Sequence, residues 1–483
     1  MSDSPSKPNE TASTIGSLVD AMKPLCAVSG LQDTITSQLK DSLPHDLLFP
    51  TVDMKGLTSP VFEPRPAFEP AVDRSLMDSF MKPDWHQLVI IGNGFDLECG
   101  LPSTYRDFFE SRSGLMEEAE RASSRACSSW GQALRDAGIT VWELILQSKV
   151  DEYWYGIETA IKDWVVTHRT SEKSFLNRPT EILRAASAGA GEKGGESHAE
   201  NSDATVELIA RYIRDTHDAS ELAGWDRSNV YEYLLEELHS LEREFSIYLQ
   251  SQVDAHDDYK QRAVNLIGNL LNDERPKDID EYDEAESVLS FNYTRPFGNN
   301  LGREPGADIL VNVHGSLDKG NIVFGIDGSD CMEQEGALEF TKTYRLMALG
   351  SPDMSKVVHG HGSGIGASST DLIKFYGHSL ADPDYSYFQA IFDTVGLYDG
   401  TTRLIFYFRP HKKRDGTFSS MEDARKSVMK DVFKLLVAYG KTMGNTDHGK
   451  NLIHKLQLEG RLSVKLLPDE EYGSRDSHSW TFD

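Results

Sequence analysis

The sequence predicts an α/β fold with a mostly parallel sheet and a large helical insertion after the first strand. Three observations carry this expectation. Short apolar runs rich in β-branched residues alternate with helical stretches, the pattern of strands covered on both faces. The first run, Leu88-Val89-Ile90-Ile91, leads directly into Gly92-Asn93-Gly94-Phe95-Asp96 and then a Gly100-Leu101-Pro102-Ser103 turn. That strand, glycine turn and helix order is the layout of a nucleotide site, where glycines admit close backbone approach and helix amides face an anion. Finally, residues 104–272 read as helical almost throughout.

Taken in order, the core opens near Trp85 with a strand at His86–Gly92, and a helix is expected to open at Ser103. Helices are expected near 104–113, 115–137, 139–168, 204–223, 229–253 and 256–272. In the fifth of these, Leu234, Leu235, Leu238, Leu241, Phe245, Tyr248 and Leu249 recur at three- and four-residue steps and mark one buried face. A low-complexity run, Ala188–Ser197, is expected to form a mobile loop. Strands return at 287–291, 309–313, 322–324, 371–376, 403–408 and 463–466, with helices near 383–395 and 419–438. The expected organisation is an N-terminal extension at 1–84, a Rossmann-like core at 85–103 and 273–483, and the helical insertion at 104–272. The extension is rich in Ser and Pro, with a short amphipathic stretch at Ile15–Val28. Pro60, Pro64, Pro66, Pro70 and Pro83 favour an extended path from Pro50 to Pro83.

Composition narrows the function. The 483 residues carry 49 basic and 77 acidic side chains, a formal charge of −28. Such a chain repels polyanions, and its longest basic run is His411-Lys412-Lys413-Arg414, so direct nucleic-acid binding is not expected. Cys26, Cys99, Cys127 and Cys331 are scattered without a Cys-x-x-Cys pair, which argues against a zinc ribbon and fits the cytoplasm. The N-terminus has neither the basic nor the apolar region of a signal peptide, and no apolar stretch is long enough to span a membrane.

Four polar motifs fall at strand ends: Gly92–Asp96 with Pro102-Ser103; Ser290-Phe291-Asn292-Tyr293-Thr294; Val313-His314-Gly315-Ser316; and Tyr376-Gly377-His378-Ser379-Leu380-Ala381-Asp382. Each alone has a structural explanation, as a tight turn, a helix cap or a core histidine. Open parallel sheets bind ligands at the carboxyl ends of their strands, so four such ends point to one shared site.

These motifs resemble the signature of the AbiH family of bacterial phage-defence (abortive infection) proteins. The resemblance rests on Ile91–Leu97 with Gly100–Tyr105, Phe291-Asn292-Tyr293-Thr294, His314-Gly315, Phe324-Gly325-Ile326 and Gly377–Leu380 followed by Asp382-Pro383-Asp384-Tyr385, with Glu158 at a further acidic position. It runs from about residue 86 to about residue 410. More distantly, the motif order is similar to that of the SIR2 (sirtuin) superfamily. Its glycine loop matches Gly92-Asn93-Gly94, its Asn segment Asn292, its His-Gly pair His314-Gly315-Ser316 and its last turn Gly377–Leu380. Two departures are plain: Thr294 stands where that motif has Asp, and the zinc-binding cysteines are missing, so deacetylation is not implied.

The SIR2 resemblance implies NAD as substrate or ligand, with no metal, and hydrolysis to nicotinamide and ADP-ribose on infection. Asn292 would position water or a ribose hydroxyl, and His314 would take the proton. Backbone amides around Gly92, Asn93, Gly94 and Phe95 would hold the pyrophosphate. Asp96, Ser379 and Asp382 would take ribose or adenine hydroxyls, with Pro102, Ser103, Gly377 and His378 completing the nucleotide site. The expected partners are the nucleotide, a phage-encoded trigger and further copies of the chain. A non-catalytic module that senses a nucleotide or oligomerises is the alternative. A nuclease ranks last, its nearest acidic pair being Asp382 and Asp384.

Overall fold

The computed structural model describes residues 85–467 apart from 127–128, 149–155, 167, 170–174, 189–203, 278–283, 298–309, 329–330, 332–333, 335, 350–356, 361–368, 381, 412–416 and 445. The expectations for 1–84, for the basic run after His411 and for the low-complexity run after Ala188 lie outside the described residues.

Six parallel strands form the central sheet: β1 Trp85–Ile91, β2 Glu284–Ser290, β3 Leu310–Asn312, β4 Thr370–Tyr376, β5 Arg403–Phe408 and β6 Leu462–Leu466. Their spatial order is β3-β2-β1-β4-β5-β6, the order of a Rossmann-type dinucleotide fold. In that order the chain reverses direction across the sheet between β1 and β4. The loops that leave these two strands are therefore the Gly92 loop and the Gly377 loop.

The helices are α1 Asn93–Glu98, α2 Tyr105–Ala126, α3 Trp130–Asp136, α4 Val141–Ser148, α5 Ile157–Val165, α6 Arg178–Ala188 and α7 Ala204–Thr216. They continue with α8 Ala219–Leu222, α9 Arg227–Ala255, α10 Tyr259–Asn272, α11 Lys342–Leu349, α12 Tyr385–Thr394, α13 Met421–Thr442 and α14 Thr446–Leu458. Alternation along the strands divides the sheet into two apolar faces. Leu88, Ile90, Phe375 and Phe406 pack beneath Phe388, Phe392, Leu436 and Leu452 of α12–α14. Val89, Ile91, Leu372 and Ile405 face Tyr259, Ala263, Ile267 and Leu270 of α10. On that second face Lys374 is fully buried in β4, donating to the carbonyls of Leu270 and Leu271 at 2.6 and 3.2 Å. A cation at the end of α10 satisfies carbonyls that the helix leaves open and complements its dipole.

A separate core gathers the helices between β1 and β2. Trp142, Ile161, Tyr212, Leu234, Leu238 and Phe245 anchor it, and Phe324, Ile326 and Phe340 from the segment after β3 join it. Helix α9 starts on a capping box, Asp226 accepting from the Ser228 and Asn229 amides while Asn229 accepts from the Asp226 amide.

Several local expectations change. Gly114 does not end a helix: α2 runs through it because Phe108, Phe109, Leu115 and Met116 pack on the helical core, outweighing a glycine penalty of about 1 kcal/mol. The expected 139–168 helix is two helices, α4 and α5. The helix after the first turn starts at Tyr105 rather than Ser103, with Thr104 and Asp107 capping it reciprocally at 2.6–3.1 Å. Ile322–Phe324 forms no strand. The Phe324 amide donates to Glu242 Oε1 and its carbonyl accepts from Arg345, so its backbone pairs with side chains rather than with a neighbouring strand.

Candidate functional site

The Gly92 and Gly377 loops interlock. The Gly92 amide donates to the Tyr376 carbonyl at 3.1 Å, Gly94 to Gly377 at 2.8 Å, and Phe95 to Gly92 at 2.8 Å. A Cβ on Gly92 would stand 2.6 Å from His378 Cα, and one on Gly377 would stand 2.3 Å from the Phe95 nitrogen. Gly377 also has φ +71°, where side chains are strained. The glycines thus allow two loops to cross in contact. The amides of Gly92, Gly94 and Phe95 bond within the protein, and α1 is six residues long, so the two loops form a structural crossing here. Gly377→Ala is expected to lower stability by about 1–3 kcal/mol or more, read from the midpoint of denaturant unfolding.

Asn93, Pro102 and Ser103 belong to the same crossing. Ser103 Oγ donates to exposed Asn93 Oδ1 at 2.6 Å, and the Pro102 carbonyl accepts from Tyr248 of α9 at 2.9 Å. Asp96 is buried and accepts from Tyr259 Oη and Thr294 Oγ1, both at 2.8 Å. Burial pushes its carboxyl up to about 6 against those hydrogen bonds. Asp96 clamps α10 to the loop after β2.

The ends of β2 and β3 carry the two predicted catalytic residues. Ser290 pairs with Asn312 in register, and Asn292 and His314 each stand two residues further on. Asn312 Nδ2 fixes the first loop by donating to the Asn292 and Thr294 carbonyls at 2.8 and 3.0 Å. Gly315, at φ +83°, permits the turn after His314, where a Cβ would collide with the Asn321 carbonyl. Asn292 is buried; its amide sits near enough to Asp96 to favour the carboxylate, yet Nδ2 makes no hydrogen bond of ordinary geometry.

His314 is the best-defined group. Its Nε2 lies 2.8 Å from Asp384 Oδ1, which closes a short 3₁₀ turn, Asp382–Asp384, ahead of α12. Its Nδ1 is buried and has no partner among the described residues. Burial, with the charge of Lys342, lowers this imidazole to about 4, so it is neutral at pH 7. Asp384 thus favours the Nε2–H tautomer and leaves the lone pair on Nδ1, the arrangement of a base held by a carboxylate. Asp384 Oδ2 lies 3.3 Å from His378 Nε2, and His378 Nδ1 accepts from the Leu380 amide at 2.9 Å. Leu380 takes φ +55°, an uncommon backbone for a non-glycine residue. Burial alone would raise the Asp384 carboxyl, but both histidines and Lys342 outweigh it and hold the group far below the usual carboxylate range.

Sequence reasoning did not single out Lys342. It is buried at the start of α11, with Nζ 2.6 Å from Glu158 Oε1 and 3.0 Å from Asp384 Oδ1. The Phe324-Gly325-Ile326 motif places it: Ile326 exchanges backbone bonds with Phe340 and Lys342, and a Cβ on Gly325 would stand 2.7 Å from the Phe340 carbonyl. Asp384 and Glu158 were visible only as motif positions. Ser379 is exposed beside His378, and the Asp382 side chain lies outside the described residues.

A family model described as "Bacteriophage abortive infection AbiH" matches residues 88–407, from β1 to β5. The chain belongs to the AbiH family. The match spans every strand end described above, and a role in phage abortive infection follows from it. No curated protein and no solved structure matches this AbiH chain. Among its described residues no helix is long and apolar enough to cross a membrane, and no group of three or more His, Cys, Asp or Glu is placed to hold a metal ion.

Proposed function

We propose that this AbiH protein acts in the cytoplasm on infection by hydrolysing a nucleotide at the bond between ribose and base, with NAD as the substrate. The observation that supports this reading most is His314: neutral, tied to Asp384 through Nε2, and buried at a strand end with Nδ1 unpartnered among the described residues. A buried imidazole nitrogen without a partner is costly in a merely structural residue. It is useful in a base that must take a proton in a dry site.

Cleavage of the nicotinamide–ribose bond generates an oxocarbenium-like centre, and nicotinamide leaves neutral, so no strong acid is needed. Water attacks C1′ as the C–N bond breaks, and His314 Nδ1 accepts the water proton. Asp384 stabilises the resulting imidazolium, which then loses the proton to solvent. Asn292 donates from Nδ2 to a ribose hydroxyl and orients the sugar. The products are ADP-ribose, nicotinamide and a proton. The amides of Gly92, Gly94 and Phe95 are engaged within the protein, so no pyrophosphate contact is assigned to them.

That engagement favours one other reading, a nucleotide-sensing module without turnover. Incubating the purified chain with NAD, alone and with lysate of phage-infected cells, separates the two. Free nicotinamide supports hydrolysis. Its absence in both samples, with NAD bound, supports the sensor.

A further inference from the structure

We propose that Lys342 is a positioning residue that keeps His314 an unprotonated base by sharing Asp384 Oδ1 with it, under the restraint of Glu158. The proposal deepens the reading of His314 as the base and rests on it. His314 Nε2 and Lys342 Nζ meet the same carboxylate oxygen, at 2.8 and 3.0 Å. Burial is the largest influence against the imidazolium, while a carboxylate facing the ring favours it and draws a proton there before any reaction. A fixed ammonium on the same oxygen offsets that field, so Asp384 orients the ring without charging it.

Lys342 is held for this task. Its Nζ is clamped between Asp384 and Glu158 of α5, and its backbone is fixed by Ile326. Burial acts against the ammonium, but the two carboxylates outweigh it and raise Lys342 above the usual lysine range. Three residues along α11, Arg345 is anchored to Glu242, which locks the helix to the helical core. Glu158 also binds the ammonium, so Lys342 does not collapse fully onto Asp384.

The other titratable groups around His314 leave this assignment to Lys342. His378 faces the opposite oxygen of Asp384. The Tyr387 ring of α12 lies 5.7 Å away and burial pushes its phenol up to about 12, so it is neutral. Asp327 is bound by Ser386 Oγ at 2.6 Å. Tyr105 lies near Glu158, Lys342 and Asp384 and is raised above its usual range by burial, so it too is uncharged.

The test is the protonation midpoint of His314, read by NMR of the full chain labelled at histidine Cε1, with the signal assigned by its loss in His314→Ala. In the natural protein His314 is expected to stay neutral from pH 5 upward. Lys342→Met is expected to raise the midpoint by at least about one pH unit, a tenfold change in the ionisation constant. The double variant Lys342→Met with Glu158→Gln leaves no unpaired glutamate and should show the same rise. Lys342→Arg should keep the natural midpoint. Any nicotinamide release should shift its acid limb toward alkaline pH in step with the Lys342→Met midpoint. A folded Lys342→Met or double variant whose His314 titrates as in the natural protein overturns the proposal. The midpoint is read without substrate, so failure of NAD hydrolysis leaves this result standing on its own.

Discussion

His314→Ala is expected to lower nicotinamide release by about 10²–10⁴-fold, the usual worth of a positioned base. The loss should fall on kcat, because Nδ1 acts as the water proton transfers and not when NAD binds. Asn292→Ala should cost less in kcat and more in KM, since Nδ2 is assigned to a ribose hydroxyl in both bound and transition states. Neither change should unfold the chain. His314 is packed against Phe291 and Tyr387 at ring distances of 5.5 and 5.7 Å, and those rings remain seated on α12 without it. A thermal melt of each variant separates lost chemistry from lost fold. Equal turnover in natural protein and folded His314→Ala would remove His314 from the mechanism.

Glu242→Ala is expected to be the most damaging substitution for stability, at about 3–5 kcal/mol by denaturant unfolding. Glu242 binds Arg345 through both oxygens, at 2.6 and 2.7 Å, and accepts from the Phe324 amide at 2.6 Å. Glu242 and both partners are buried, so alanine leaves a guanidinium and an amide without acceptors. Glu242→Gln should cost less, because its carbonyl still accepts one of these bonds. The damage should also reach the site, as Arg345 and Lys342 lie on one turn of α11.

The strands were legible because parallel strands buried on both faces are written as short apolar runs, as in Leu88–Ile91 and Arg403–Phe408. The motif ends Asn292, His314 and His378 were legible for the same reason, since each follows such a run. Strand order was not written locally: that β4 lies beside β1 follows from long-range pairing such as Val89 with Lys374. The glycines of the first loop read as phosphate contacts because a glycine reports a close approach without saying what approaches. Here the neighbour is the Gly377 loop. Lys342 was invisible because a lysine at the start of an amphipathic helix usually faces solvent. Only the fold places Glu158 and Asp384 on either side of it. Asp96 read as a ligand contact because a carboxylate after a glycine turn is usually exposed, whereas Tyr259 and Thr294 enclose this one.

On the proposed function, the strand ends carrying Asn292 and His314 take a nucleotide through its ribose. Mass analysis of the small molecules that co-purify with the His314→Ala chain tests it most directly, because a variant that binds but does not cleave retains its substrate. Intact NAD is expected on His314→Ala, and ADP-ribose or no nucleotide on the natural protein. Absence of any ribose-containing molecule from the variant, together with no NAD binding on direct titration, would contradict it.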